Sequence, residues 1–130
     1  MDSLNTTGLM LALKDYPTEN LWYLGSVYSK CPWGLDVADK QAKMLGARLF
    51  AIGITNFFCP IAHCHDMAVL SDIDKTSHEL WMAIDQRFID RCDGMIVPLM
   101  ENWEKSSGLT YEGLAYAKQN KPDLYWDYRV

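Results

Sequence analysis

The apolar positions of this chain change period from segment to segment, and each change predicts a new element of secondary structure. From Asp36 onward they recur at alternating steps of four and three and stop at Gly53, which predicts an amphipathic helix (Ala38, Ala42, Leu45, Leu49, Ile52). Segments 21–25 and 54–59 are rich in apolar, aromatic and β-branched residues, and 94–99 is a continuous apolar run, so three strands are predicted there. A short last strand is predicted near 123–126.

The segments between these strands carry helix and loop signals. Thr76 and Glu79 form a capping box, which predicts a helix running to about Cys92. Another helix is predicted from the turn at Ser106 to about Gln119, whereas residues 61–75 are expected to form a loop. Residues 1–20 show no sustained period; we expect an extension that packs loosely or serves a partner subunit, with the domain proper at 21–130.

The alternation of strands and helices predicts an α/β fold, a small doubly wound parallel sheet of the Rossmann or flavodoxin type with helices on both faces. Ligands bind to such sheets beyond the carboxyl ends of the strands. The three long predicted strands end just before Ser26, His63 and Ser106, so these positions are expected to meet at one edge.

Composition and charge narrow the class of protein. A chain of 130 residues is enough for one domain with a real core, and a net charge of −5 argues against a partner with a nucleic-acid backbone. The four cysteines form no Cys-x-x-Cys pair, which favours reduced thiols in a cytoplasmic protein. The early apolar run at 8–13 has no basic residue before it and is too short for a signal or membrane segment, so no membrane association is expected.

The turn Ser106, Ser107 and Gly108 opens the last predicted helix. The N–H groups at a helix start bind anions, and glycine lets a ligand approach the backbone closely, so the turn is a candidate phosphate site. A plain helix cap is the alternative, and it is the commoner role of such residues.

Two carboxylates are candidates for catalysis. Asp85 shares a predicted helix face with Trp81 and Phe88, and burial there would raise its pKa toward values useful for a general acid; an exposed edge residue or a partner of an arginine is the alternative. Glu112 lies one turn into its helix, where the helix dipole is expected to keep it ionised as a nucleophile requires. Simple stabilisation of the helix start explains Glu112 equally well.

His63 and His65 flank Cys64 and raise the question of a metal. The chain offers no second ligand pair at a usual spacing, so we expect no metal here, and no cofactor elsewhere. The preferred interpretation is a loop that lines the pocket, with one of the two histidines bonding to the substrate.

Three motifs carry a resemblance to the nucleoside 2-deoxyribosyltransferase superfamily, which includes N-glycosidases of nucleoside 5'-monophosphates. They are Tyr23 to Ser29, Pro60 to His65 and Trp103 to Gly108, the last followed by Glu112, Gly113 and Ala115. The pattern is similar to that of short bacterial and phage members, except that Asn102 stands where those have glycine.

The resemblance implies hydrolysis of the N-glycosidic bond of a (deoxy)nucleoside 5'-monophosphate by a homo-oligomeric enzyme. It implies that Glu112 is the nucleophile, that Asp85 helps to protonate the departing base, and that Tyr23 holds Glu112 in line. The implied substrate-binding residues are Gly25, Ser26, Tyr28, His63, Ser106, Ser107 and Gly108. Base exchange by a deoxyribosyltransferase and a nucleotide sensor without turnover remain the alternatives.

Overall fold

The fold is an α/β structure built on one parallel sheet. The structure, a computed structural model, describes residues 2–74 and 77–130. The strands are β1 (Ser3–Leu4), β2 (Trp22–Leu24), β3 (Phe57–Phe58), β4 (Gly94–Pro98) and β5 (Asp123–Trp126). The helices are α1 (Thr6–Leu13), α2 (Leu35–Ala51), α3 (Pro60–Leu70), α4 (His78–Arg91) and α5 (Ser107–Lys118), with a short 3₁₀ turn at Trp103–Lys105.

The five strands lie in the order β1-β5-β4-β2-β3, and all neighbouring pairs are parallel. The chain leaves β2 toward β3 on one side, and returns through α3 and α4 to β4 on the other side of β2. The order therefore reverses between β2 and β4, where Trp22 pairs with Gly94 and Leu24 with Ile96. In open α/β sheets the crevice at such a reversal, beyond the carboxyl ends of the strands, is where ligands bind.

The predicted fold class is confirmed, and the long periodic segments lie where the pattern puts them. Helix α2 begins and ends within one residue of the predicted helix, and β5 coincides with the predicted last strand. Strand β4 is buried along its whole length, as its continuous apolar run predicts. Its position in the middle of the sheet, between β5 and β2, explains that burial.

The loop predicted at 61–75 is wrong, because residues 60–70 form helix α3. Pro60 ends the strand pattern in the sequence, but it occupies the first turn of α3, where a missing N–H costs nothing. The buried residues Pro60, Cys64, His65 and Ala68 follow helical spacing, and two of them are not strong apolar signals. Thr76 of the predicted capping box lies outside the described residues, and Ser77 caps α4 by accepting a hydrogen bond from Leu80 N at 3.3 Å.

The loose packing expected for residues 1–20 is wrong for 3–13. Strand β1 pairs with β5 at the edge of the sheet, and Leu9 of α1 is fully buried in the core. Asn5 caps α1 by accepting from Gly8 N at 2.7 Å, and Thr6 Oγ1 accepts from Trp126 Nε1 at 3.2 Å. A two-residue strand is too short to show any period in the sequence, which is why the pattern missed it.

The described residues contain no disulfide bond, and Cys31, Cys59, Cys64 and Cys92 are free thiols as predicted. Within the same residues, none of the helices combines the length and the apolar character needed to cross a bilayer.

Candidate active site at the reversal of the sheet

A cleft of about 150 Å³ opens beyond the carboxyl ends of β2 and β4. Its walls come from the segment after β2, the start of α3, the first half of α4 and the first two turns of α5. The lining residues are Ser26, Tyr28, Ser29, Ile61, His78, Trp81, Asp85, Ser106, Ser107, Gly108 and Glu112. The cleft therefore lies at the reversal of the sheet, and most of the residues that sequence reasoning selected face it.

The first turn of α5 forms one end of the cleft. Ser106 is the cap, since its Oγ accepts from Leu109 N at 3.2 Å, and this leaves the N–H groups of Ser107 and Gly108 for solvent or a ligand. A Cβ built on Gly108 would meet nothing nearer than Ser106 Oγ at 3.8 Å. Packing therefore does not require glycine there, whereas close approach of a ligand to the backbone would.

Glu112 and Asp85 face the middle of the cleft from two different helices. Glu112 follows Gly108 by four residues, so the turn and the carboxyl group lie on the same face of α5. Asp85 follows Trp81 by four residues on α4, and both of these side chains also line the cleft. Glu112 is only 8% exposed.

Burial dominates the electrostatics of this carboxyl pair. It raises the pKa of Glu112 to about 8, partly opposed by a hydrogen bond from Tyr23 and increased by the charge of Asp85. Burial likewise raises the pKa of Asp85 to about 7, with Tyr23 again opposing the rise. Burial thus opposes the ionisation of Glu112 that the helix start predicts. With pKa values of about 7 and about 8, the two carboxyl groups together hold one proton near pH 7 to 8.

Tyr23 lies beneath the pair, at the end of β2, and is 1% exposed. Burial, followed by the charges of Glu112 and Asp85, raises its pKa well above the usual value. Its hydroxyl therefore keeps its one proton and can donate it to one of the two carboxyl groups at a time.

Two buried polar atoms of the cleft are poorly paired by the described residues. Asp85 Oδ1 and Ser26 Oγ are both buried and make no hydrogen bond of ordinary geometry to the described residues. The Cys59 thiol interacts with Ser26, but a thiol is only a weak hydrogen-bonding group. Because buried polar atoms are nearly always paired in native proteins, these two indicate where a ligand would bond.

A model of one protein family, described as domain of unknown function (DUF1937), matches residues 23–128 of this chain. The chain belongs to the DUF1937 family. No curated protein matches the chain. The matched range includes every residue that lines the cleft, and it leaves out β1 and α1.

Gly25 of this DUF1937 chain lies outside the cleft, unlike its neighbour Ser26. Its N–H donates to Ile96 O at 2.9 Å, which ties the end of β2 to β4. A Cβ at this position would collide with the side-chain ends of Met95 and Leu109. Among the described residues, Gly25 therefore holds the strand ends and α5 together, and it does not line the candidate site.

The expectation that His63 lines the pocket is not met. His63 is exposed, packs against Phe58 with ring centroids 5.2 Å apart, and borders a separate groove beside Phe88. Residues two positions apart on a helix differ by about 200° in direction, so His63 and His65 point to opposite sides of α3. His65 is the buried one, 2% exposed, and its Nδ1 lies 2.5 Å from the Tyr28 hydroxyl.

Four lining residues were not selected as site residues from the sequence: Ser29, Ile61, His78 and Trp81. The spacing of Trp81 and Asp85 carried a usable signal, since residues four apart share a helix face. Ile61 could not be found, because its segment was expected to be a loop.

Within the described part of the chain, one group has metal-ligand geometry, namely Asp39, His65 and Asp66, whose ligand atoms lie within 4.8 Å of one another. Lys43 Nζ lies 2.6 Å from Asp39 Oδ2 and 3.7 Å from Asp66 Oδ2, so one ammonium already pairs with both carboxylates. His65 Nε2 is bonded to Asp36 at 2.9 Å. A cation would have to displace these contacts, so the arrangement gives no support to a metal centre.

Proposed function

We propose that this protein cleaves the N-glycosidic bond of a (deoxy)nucleoside 5'-monophosphate. The observation that carries the proposal is the carboxyl pair of Glu112 and Asp85, which shares one cleft with the open helix start at Ser107 and Gly108. A phosphate at that turn would be held by backbone N–H groups and by the helix dipole. The sugar then lies over Glu112, one turn further along the same helix face.

In the proposed first step, ionised Glu112 attacks C1' of the sugar while the bond from C1' to the base nitrogen breaks. Asp85, in its protonated form, gives its proton to the departing base, so the products are a glycosyl ester of Glu112 and a neutral free base. The pair holds one proton near pH 7 to 8, and because burial raises the pKa of Glu112 more than that of Asp85, this proton rests mainly on Glu112 in the empty cleft. The step therefore proceeds from the less populated form, in which Asp85 carries the proton and Glu112 is ionised.

In the second step, water attacks C1' and gives a proton to the Asp85 carboxylate, which releases Glu112 and restores the starting state. This is the logic of a retaining glycosidase. A second free base in place of water would give base exchange. The homo-oligomeric state expected from the resemblance stays a prediction.

The test is chromatography of the products after incubation with a panel of ribo- and deoxyribonucleoside 5'-monophosphates, with and without a second free base. We expect free base from the wild type, a loss of about 10³-fold or more in Glu112→Gln, and no loss in the surface control Glu101→Gln. A new nucleotide in the presence of a second base would establish transfer instead of hydrolysis.

If no nucleotide in the panel yields free base, the hydrolase proposal is wrong. A sensor would then be recognised by thermal stabilisation without turnover. A ligand at one hundred times its Kd adds about 2.7 kcal/mol to the free energy of unfolding.

A further inference from the structure

Two of the sequence motifs meet in a hydrogen-bonded chain behind the cleft. Tyr28, from the segment after β2, bonds to His65 of α3, and His65 bonds in turn to Asp36 at the start of α2. Tyr28 lines the cleft, and its ring also packs edge-on against Trp81 with centroids 5.1 Å apart. In the reaction proposed above none of these side chains has a chemical role, although Tyr28 and Trp81 line the cleft.

Which group donates in each of these hydrogen bonds follows from the bond between His65 and Asp36. An ionised carboxylate accepts hydrogen bonds and cannot donate them, so His65 Nε2 carries the hydrogen in its bond to Asp36 Oδ1. In the neutral imidazole Nδ1 is then an acceptor, and the Tyr28 O–H must donate to it. Burial, with the charges of Asp39 and Asp36, raises the pKa of Tyr28 to about 12, so the phenol keeps this proton.

A phenol that has given its only hydrogen to a histidine retains lone pairs on the oxygen and can only accept a further bond. We propose that Tyr28 is a specificity-determining residue whose oxygen accepts a hydrogen bond from a donor group of the substrate, and that His65 and Asp36 are positioning residues that keep it an acceptor. The donor is an N–H of the base or an O–H of the sugar. This inference rests on the proposed function, because it assigns a substrate contact within the same cleft.

The kinetic test compares substrates that differ by a single donor. The first pair is an adenine nucleotide and the corresponding purine nucleotide, which lacks the amino group. The second and third pairs compare a ribonucleotide with its 2'-deoxy form and with its 3'-deoxy form, each of which lacks one hydroxyl. We expect the wild type to prefer the donor-bearing member of one pair by about 10- to 100-fold in kcat/KM. Tyr28→Phe removes that preference and leaves the other pairs unchanged. The pair that responds identifies the donor as belonging to the base or to the sugar.

Tyr111→Phe is the matched control, because the Tyr111 hydroxyl bonds to Gln86 on the surface and lies outside the cleft. It should discriminate as the wild type does. His65→Leu should lose the preference of the wild type by leaving the Tyr28 hydroxyl free to rotate. His65→Gln, which keeps an acceptor for Tyr28, should restore part of it.

A second measurement does not depend on turnover. Nitrogen-15 NMR of the imidazole should show His65 protonated at Nε2 only, and Asp36→Asn should weaken this preference because an amide both donates and accepts. An imidazole protonated at Nδ1, or at both nitrogens, would overturn the inference.

The outcomes separate the two proposals. Free base from the wild type together with unchanged discrimination in Tyr28→Phe refutes the role of Tyr28 and leaves the N-glycosidase proposal standing. No free base from any substrate refutes the N-glycosidase proposal and, with it, the substrate contact assigned to Tyr28.

Discussion

Replacing Glu112 by glutamine removes a buried charge and keeps the shape of the side chain. Burial raises the pKa of this carboxyl from its usual 4.5 to about 8, so the folded state holds the proton more tightly than the unfolded state does. The resulting stability is fully present below about pH 4.5 and is lost as the pH rises through 8. Wild type should therefore become less stable between pH 5 and pH 9, and Glu112→Gln should escape this loss.

The size of the effect follows from the same two pKa values. For each pH unit over which the folded state binds one proton more than the unfolded state, the free energy of unfolding falls by about 1.36 kcal/mol. Between pH 5 and pH 9 the loss specific to Glu112 comes to about 4 kcal/mol, since nearly three of those units lie between pH 5 and the folded pKa of about 8. For a domain of this size 4 kcal/mol corresponds to a change in Tm of about 10–15 °C.

Calorimetry of wild type and Glu112→Gln at pH 5 and pH 9 measures this directly. The two proteins should have similar Tm values at pH 5, and the variant should be more stable at pH 9. Glu101→Gln, which changes an exposed carboxyl, controls for the general effect of removing one negative charge. If wild type and Glu112→Gln lose stability in parallel, Glu112 is not a buried carboxyl with a raised pKa, and the proposed proton sharing with Asp85 fails too.

Three further changes test the site and its frame. Gly108→Ala should stabilise the free protein by up to about 1 kcal/mol, because its Cβ has room, but should weaken nucleotide binding in titration calorimetry; unchanged affinity would remove the turn from the site. Gly94→Ala should cost about 1–3 kcal/mol in urea unfolding, since its Cβ would lie 2.5 Å from the Trp22 ring and 2.8 Å from a backbone oxygen, while Gly113→Ala on α5 should not destabilise. Tyr23→Phe removes the hydrogen bonds that lower the pKa of both carboxyl groups, so the rising limb of the pH–rate profile should move to higher pH; an unmoved limb would contradict the contact.

The parallel sheet and the convergence of the site could be predicted because both depend on long, regular signals. Helix α2 spans 17 residues, and over such a length apolar spacing distinguishes a helix from a strand. Once the strands are known to be parallel, their carboxyl ends must share one edge. That rule alone brings Ser26 together with Ser106 and the helix that follows it, without any knowledge of contacts.

Helix α3 and the state of Glu112 could not be predicted, for two different reasons. In α3 the buried face includes His65, a polar residue whose two ring nitrogens bond to Tyr28 and Asp36, which are distant in sequence. The pKa of Glu112 depends on how completely its surroundings exclude water. The sequence shows the helix start that favours ionisation, but the desolvation that opposes it is a property of the packed cleft.

Two helices and one loop segment contribute the residues to which we assign roles in the cleft. Helix α5 carries both the proposed phosphate-binding turn and Glu112, four residues or about 6 Å of helix rise apart, so their separation is fixed by helix geometry. Asp85 and Trp81 have the same spacing on α4. The proposed nucleophile, proton donor and phosphate site thus all lie on helices, which hold side chains more precisely than loops do. Tyr28 lies in the segment between β2 and α2, outside these helices. On the role proposed for Tyr28, substrate preference would change through that residue and its neighbours without moving the carboxyl pair.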